Sequence, residues 1–168
     1  MPEEKSLLQS QVWQDCQWPF IHKFMKNLLF LCTGNSCRSQ MAEGFARQLK
    51  SDQFTVYSAG IETHGLNPTA VKVMAEVAVD ITGHESTHVD DLQHIAFDWV
   101  VTVCDHAAGQ CPIFPGQARV VHRAFDDPPR LARDAKSEQE ALGFYRRVRD
   151  EICAYVETLP EGLKVGRE

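Results

Sequence analysis

Apolar positions along this chain recur in two rhythms that take turns. Residues 28–31 form a short, continuously apolar run, as a central parallel strand buried on both faces does. The run stops at Cys32, and small or polar residues follow to Cys37. From Arg38 the spacing turns helical to about position 50, with Met41, Ala42, Phe45, Ala46 and Leu49 on one face. Residues 54–58 alternate and are β-rich, a second strand that Ala59 and Gly60 end. Asn67-Pro68 opens a helix, with Asn as cap and Pro at the first helical position. Ala70, Val71, Met74, Val77 and Ala78 supply its apolar face. Residues 80–94 hold His84, His88 and His94 among acidic neighbours and read as a solvated, loosely helical connector rather than a metal cluster. Residues 99–103 are a third buried strand ending at Cys104, and residues 118–122 a shorter fourth. Residues 125–129 read as a turn. The last helix starts at Ser137 with Glu140 three positions on, a capping box. Its stripe of Leu142, Tyr145, Val148, Ile152, Tyr155 and Val156 runs to Leu159, with Cys153 packed beside it.

Strands alternating with helices predict an α/β fold with a parallel sheet and right-handed crossovers. Such sheets bind ligands at the carboxyl ends of their strands, where Cys32 and Cys104 both fall. Residues 1–24 stand outside the alternation. Leu7, Leu8, Val12, Trp13 and Cys16 could stripe a short helix there, so this N-terminal extension is either an arm that packs on the domain or a segment of little consequence. Residues 25–160 form the expected domain, and residues 161–168 a frayed tail.

Composition narrows the class. Of the 168 residues, 43% are hydrophobic and 24% charged, as in one soluble domain. No apolar stretch is long enough to span a bilayer and no secretory h-region is visible, so a cytoplasmic location is expected. The net charge of −6 argues against nucleic acid as a partner. It also means that any affinity for an anion has to be local. The six cysteines include no Cys-x2-Cys pair, so reduced or catalytic thiols are expected rather than a zinc site or a disulfide framework.

Local anion affinity is what the stretch after the first strand offers. In a strand–loop–helix unit, the amides of Thr33, Gly34, Asn35, Ser36, Cys37, Arg38 and Ser39 would converge on one concave spot, reinforced by the helix N-terminus. Arg38 adds a planar fork suited to a tetrahedral oxyanion. The same field should favour a thiolate at Cys32 and make it a nucleophile. The plainer reading, a buried strand cysteine before an ordinary turn, does not account for an arginine at that spacing. A second pair of thiols, Cys104 and Cys111, brackets Asp-His-Ala-Ala-Gly-Gln. In a helix, seven positions span about 10 Å along the axis, whereas a disulfide needs Cα atoms within about 7 Å. The pair could bond only if the segment unwinds, which Gly109 permits. The alternative is a core thiol and an unrelated surface thiol.

The run Cys32-Thr33-Gly34-Asn35-Ser36-Cys37-Arg38-Ser39, with Gln40-Met41-Ala42-Glu43-Gly44 behind it, resembles the low-molecular-weight tyrosine phosphatase superfamily. Within it the chain is similar to the thioredoxin-coupled arsenate reductases, from about Met25 to about Leu159. The resemblance implies a three-layer fold on a four-stranded parallel sheet, with both cysteines on one edge. It implies arsenate, or a phosphate-like oxyanion, as substrate and a relay through Cys32, Cys104 and Cys111. Thioredoxin would be the recycling partner, although the residues do not separate it from glutaredoxin. Asp127, before Pro128, matches the superfamily's general acid, with Asp126 the weaker candidate. Asn35, Glu43 and Ser58 match part of a potassium site of some members, but Thr87 stands where its aspartate would be, so no metal is expected. Neither is a cofactor or a membrane, and a monomer is. A tyrosine phosphatase using Cys32, Arg38 and Asp127 is the alternative, with residual phosphatase activity unsurprising in either case. A non-catalytic oxyanion sensor is the third reading.

Overall fold

The computed structural model describes residues 25–109 and 117–164. Cys16, and with it the 1–24 extension, and Cys111 lie outside the described residues. Among the described residues, β1 (Lys26–Cys32), β2 (Phe54–Gly60), β3 (Trp99–Thr102) and β4 (Arg119–His122) form one parallel sheet in the order β2-β1-β3-β4. Helices α1 (Arg38–Leu49), α2 (Pro68–Ala75), α3 (Asp105–Gly109), α4 (Pro128–Leu131) and α5 (Glu138–Glu157) fill the connections and the C-terminal side. The fold is the expected α/β arrangement on a four-stranded parallel sheet.

The apolar run of β1 explains why that strand is central: Leu28, Leu29, Phe30 and Leu31 are each fully buried, with β2 on one side and β3 on the other. From β1 the chain steps one way to β2, then crosses back over β1 to β3. The order reverses beside β1, so a crevice opens outside the carboxyl ends of β1 and β3. Cys32 is the last residue of β1 and Cys104 follows β3 by two positions.

Helix α1 buries Met41, Ala42, Phe45 and Ala46 and packs on β1, β2 and α5. Leu49, expected on that face, is exposed, because the helix ends there beyond the edge of its contacts. Asn67 caps α2 as expected: its Oδ1 accepts from Thr69 N–H at 2.9 Å and Ala70 N–H at 3.0 Å. The buried face of α2 is Ala70, Val73 and Met74; Val77 and Ala78 lie past its end, Val77 exposed and Ala78 with a φ of 59°. Ser137 caps α5 through Glu140 N–H. Glu140 returns the bond to Lys136 N–H rather than to Ser137, one residue displaced from the usual box.

Four further expectations need correction. β2 runs through Ala59 to Gly60, because residue 60 still pairs with Cys32. Residues 80–94 are not all solvated: Ile81 and Val89 join the core, and a short 3₁₀ turn forms at Val89–Leu92. Asp127 begins the short helix α4 instead of lying mid-turn. The chain beyond Leu159 is not frayed at its start, since Glu161–Leu163 forms a 3₁₀ turn that buries Leu163.

Candidate active site

The loop between β1 and α1 is held open by its carbonyls. Cys32 O accepts from Ile61 N–H at 3.1 Å, Thr33 O from Glu62 N–H at 2.8 Å and Gly34 O from His64 N–H at 2.9 Å. Asn35 O accepts from Gln40 Nε2 at 3.0 Å. Ser36 O accepts from Asn67 N–H and Cys37 O from Met41 N–H, both at 2.9 Å. In a planar trans peptide the carbonyl and the next N–H point opposite ways. Carbonyls bonded outward therefore turn the amides inward, which builds the concave donor ring that binds anions. The strand-end segment 60–64 is thus a staple for the loop. Asn35 supplies the sharpest bend, with a φ of 45° that asparagine tolerates better than most residues.

Cys32 sits in this ring as a free, buried thiol. Its Sγ is 2.9 Å from Ser39 Oγ and accepts from Asn35 N–H at 3.2 Å. Burial pushes the Cys32 thiol up, and nearby Cys104 adds to that; Ser39 and the Asn35 amide pull it down. Burial thus opposes the thiolate that the field of the loop would favour, and Ser39 and the Asn35 amide are the donors that act against burial. Burial also pushes the Cys37 thiol up, which keeps it a neutral loop residue.

Arg38 begins α1 and reaches across to the segment before α4. One guanidinium nitrogen donates to Phe125 O at 2.9 Å, and another lies 3.2 Å from Asp127 Oδ1. Phe125 is fixed by an edge contact with Tyr155, centroids 6.1 Å apart, and by Arg123 over its ring at 5.4 Å. Arginine and Asp127 are therefore brought together at the loop by packing against α5. Asp126 points elsewhere, to Arg147 at 2.9 Å.

Cys104 is also a free, buried thiol. Its Sγ is 3.4 Å from Thr33 Oγ1, and Ala107 N–H donates to it at 3.4 Å. The two cysteines at the strand ends are thus neighbours through Thr33, the residue after Cys32. Helix α3 starts directly after Cys104 and places it on the loop.

The residues that the resemblance matched to a potassium site do not fit a cation here. Asn35 Oδ1 already accepts from Thr87 N–H at 2.8 Å and Gln40 Nε2 at 3.0 Å. Ser58 donates to Glu43, whose other oxygen holds Arg47. The oxygens a cation would need are committed, and a guanidinium stands beside the carboxylate. Sequence reasoning missed Gln40, the residues of the 60–64 staple and His84 as parts of the site. No sequence signal marked Gln40: it follows Arg38 and Ser39 in the polar first turn of α1, and only the fold buries it.

A family model described as low molecular weight phosphotyrosine protein phosphatase matches residues 27–167, and the chain belongs to that family. Within it, similarity runs to arsenate reductases. The arsenate reductase of Bacillus subtilis (strain 168) is 54% identical over 128 residues, which are 76% of this chain and 89% of that protein. That of Halalkalibacterium halodurans is 48% identical over 136 residues, 81% of this chain and 96% of that protein. A solved arsenate reductase in a phosphate-binding state superposes with a TM-score of 0.63 at 30% identity, over 85% of this chain and all of that one. One in an oxidized state gives 0.66 at 31%, over 83% of this chain and 99% of that one.

Proposed function

We propose that this protein reduces arsenate to arsenite, with Cys32 as nucleophile and a thiol relay that thioredoxin recycles. The observation that carries the reading is the Cys104 thiol, held 3.4 Å from the hydroxyl of Thr33 beside the nucleophile. Arsenate occupies the ring of amides, and Arg38 forks onto its oxygens. Cys32 attacks arsenic, an As–S bond forms and one oxygen leaves as water, with Asp127 supplying a proton. The Cys104 thiolate then attacks Cys32 Sγ. The S–S bond forms as the As–S bond breaks, and its electron pair stays on arsenic, which departs as arsenite. Cys111 attacks Cys104 and frees Cys32, and thioredoxin reduces the Cys104–Cys111 disulfide. A phosphate ester could be hydrolysed by Cys32, Arg38 and Asp127 without a second thiol, so Cys104 separates the two chemistries.

The test is NADPH consumption by the full chain with thioredoxin and thioredoxin reductase, with and without arsenate. Arsenate-dependent consumption is expected, and Cys104→Ser should abolish it. Peptide mass mapping of Cys111→Ser after one turnover should find Cys32 bonded to Cys104. No turnover with arsenate, alongside hydrolysis of a phosphate ester that Cys104→Ser leaves intact, would replace the reading with a phosphatase.

A further inference from the structure

Two hydrogens of the Arg38 guanidinium are committed, one to Phe125 O at 2.9 Å and one toward Asp127 Oδ1 at 3.2 Å. Three of the five on such a group remain, Nε–H among them, and they are the fork that an oxyanion would meet. Where the fork points depends on where its back is tied. The Phe125 carbonyl is the firmer of the two ties, because the Asp127 side chain is 34% exposed and an ion pair so placed contributes little.

That carbonyl is held by a cluster on the side of the site away from β2. Past the end of β4 the chain stays tied to β3 and the residue after it. Arg123 N–H donates to Thr102 O at 2.8 Å, and Phe125 N–H to Val103 O at 3.1 Å. The Phe125 ring is buried and meets the Tyr155 ring of α5 at 62°. Among the described residues the Tyr155 hydroxyl has no hydrogen-bond partner, so its ring is what Tyr155 brings. Arg123, itself exposed, closes the group from outside. Its guanidinium carbon lies 5.4 Å from the centre of the Phe125 ring and 5.6 Å from that of Tyr155. One planar cation therefore spans two aromatic rings, whose faces attract it. Among the described residues Arg123 makes no ion pair, so the two rings are its partners. Phe125 is thus gripped at its amide and at its ring, and the two holds aim its carbonyl at Arg38.

We propose that Arg123 is a positioning residue for the oxyanion site: by clamping Phe125 against Tyr155 it holds the Phe125 carbonyl behind Arg38 and keeps the arginine fork facing the nucleophile loop. It acts through Arg38 and not on the oxyanion itself. The proposal rests on the reading of residues 32–39 as an oxyanion site.

Calorimetric titration with inorganic phosphate tests it without turnover. A cation over one exposed ring contributes a factor of about 2–5, so losing both contacts in Arg123→Met should weaken phosphate binding by about 5–10-fold. The titrations are run at about 0.05 M and about 0.5 M salt. An effect relayed by packing keeps the same ratio of parent to variant affinity at both. A through-space pull of Arg123 on the anion would be screened, so a ratio that falls toward one at high salt overturns the proposal. Phe125→Leu removes the clamped ring and leaves the charge of Arg123 in place. It should weaken phosphate binding too, and adding Arg123→Met to it should cost less than about twofold more; full additivity overturns the clamp. Urea unfolding is followed for each variant. A lowered midpoint in Arg123→Met with phosphate affinity unchanged makes Arg123 a purely structural residue and also overturns the proposal. If Phe125→Leu does not fold, the salt comparison on Arg123→Met decides alone. A parent that binds no phosphate removes the oxyanion reading itself, whereas a parent that binds with Arg123→Met unmoved removes only the clamp.

Discussion

One glycine lies in the nucleophile loop and another at the strand end behind it, and the same substitution should have opposite consequences at them. Neither has the positive φ that would itself demand glycine, so space decides. A Cβ on Gly60 would lie 2.2 Å from Glu62 O and 2.7 Å from both Asn35 N and Thr33 O. All three are backbone atoms, and a normal contact requires shifts of about 1 Å that no side-chain rotation can supply. The atoms that must move belong to the staple and to the loop it holds. Overpacking costs about 1–3 kcal/mol, and the bonds from Ile61 and Glu62 to the loop carbonyls add about 0.5–1.5 kcal/mol each if lost. Gly60→Ala should therefore destabilise by about 2–6 kcal/mol. The three atoms nearest a Cβ on Gly34 all belong to the His64 ring, with Nδ1 nearest at 2.3 Å. That ring is half exposed and paired on the surface with Glu62, so it can swing away at a cost of about 1 kcal/mol or less.

Urea unfolding gives the stabilities, and calorimetric titration with inorganic phosphate reads the donor ring. Gly60→Ala should lower the midpoint by at least about 1 M and abolish phosphate binding. Gly34→Ala should leave the midpoint close to the parent and the affinity within about threefold. A Gly60→Ala protein as stable as the parent, with phosphate binding intact, would refute the idea that strand-end carbonyl bonds hold the ring open. Equal damage at both positions would refute the assignment of His64 as the yielding neighbour.

Two further outcomes follow from the ion pairs. Asp127→Asn should cut arsenate turnover by roughly 100-fold or more while inorganic phosphate still binds; parallel loss of phosphate binding would make Asp127 an anchor for Arg38 instead of an acid. Hydrogen bonding from Arg146, with Arg149 alongside, holds the Glu76 carboxyl down at about 2 against 4.5 for the unpaired group. A depressed carboxyl stabilises the fold above the unfolded value and loses that contribution as pH falls through the folded one. Glu76→Gln should thus unfold more easily than the parent at pH 7, with the gap closing between pH 4.5 and pH 2; a gap independent of pH would mean that packing of α2 on α5 is what the substitution damages.

What could be read from the sequence divides along a physical line. The central strand, the capped starts of α2 and α5 and the loop opening at Cys32 were legible because each depends on neighbours a few positions away: an apolar run, an Asn-Pro pair, a Ser with Glu three residues on. The balance at the sulfur was not legible. Local pattern gave a helix N-terminus and an arginine, both of which favour a thiolate. Burial pushes the other way, and Arg38 gives one donor to Phe125 O and another to Asp127, almost ninety positions on. Nothing near residue 32 announces that its loop carbonyls find donors at residues 61, 62, 64 and 67. Nor does anything there point to Gln40 and His84, which are brought together only when residues 80–94 fold back over α1. The acidic histidine-bearing stretch looked solvated because its polar groups are numerous, yet one of those histidines, His84, sits against buried Gln40 at 2.9 Å. The nucleophile itself is written in one short motif, and the residues that hold its loop in place reach as far along the chain as Asn67.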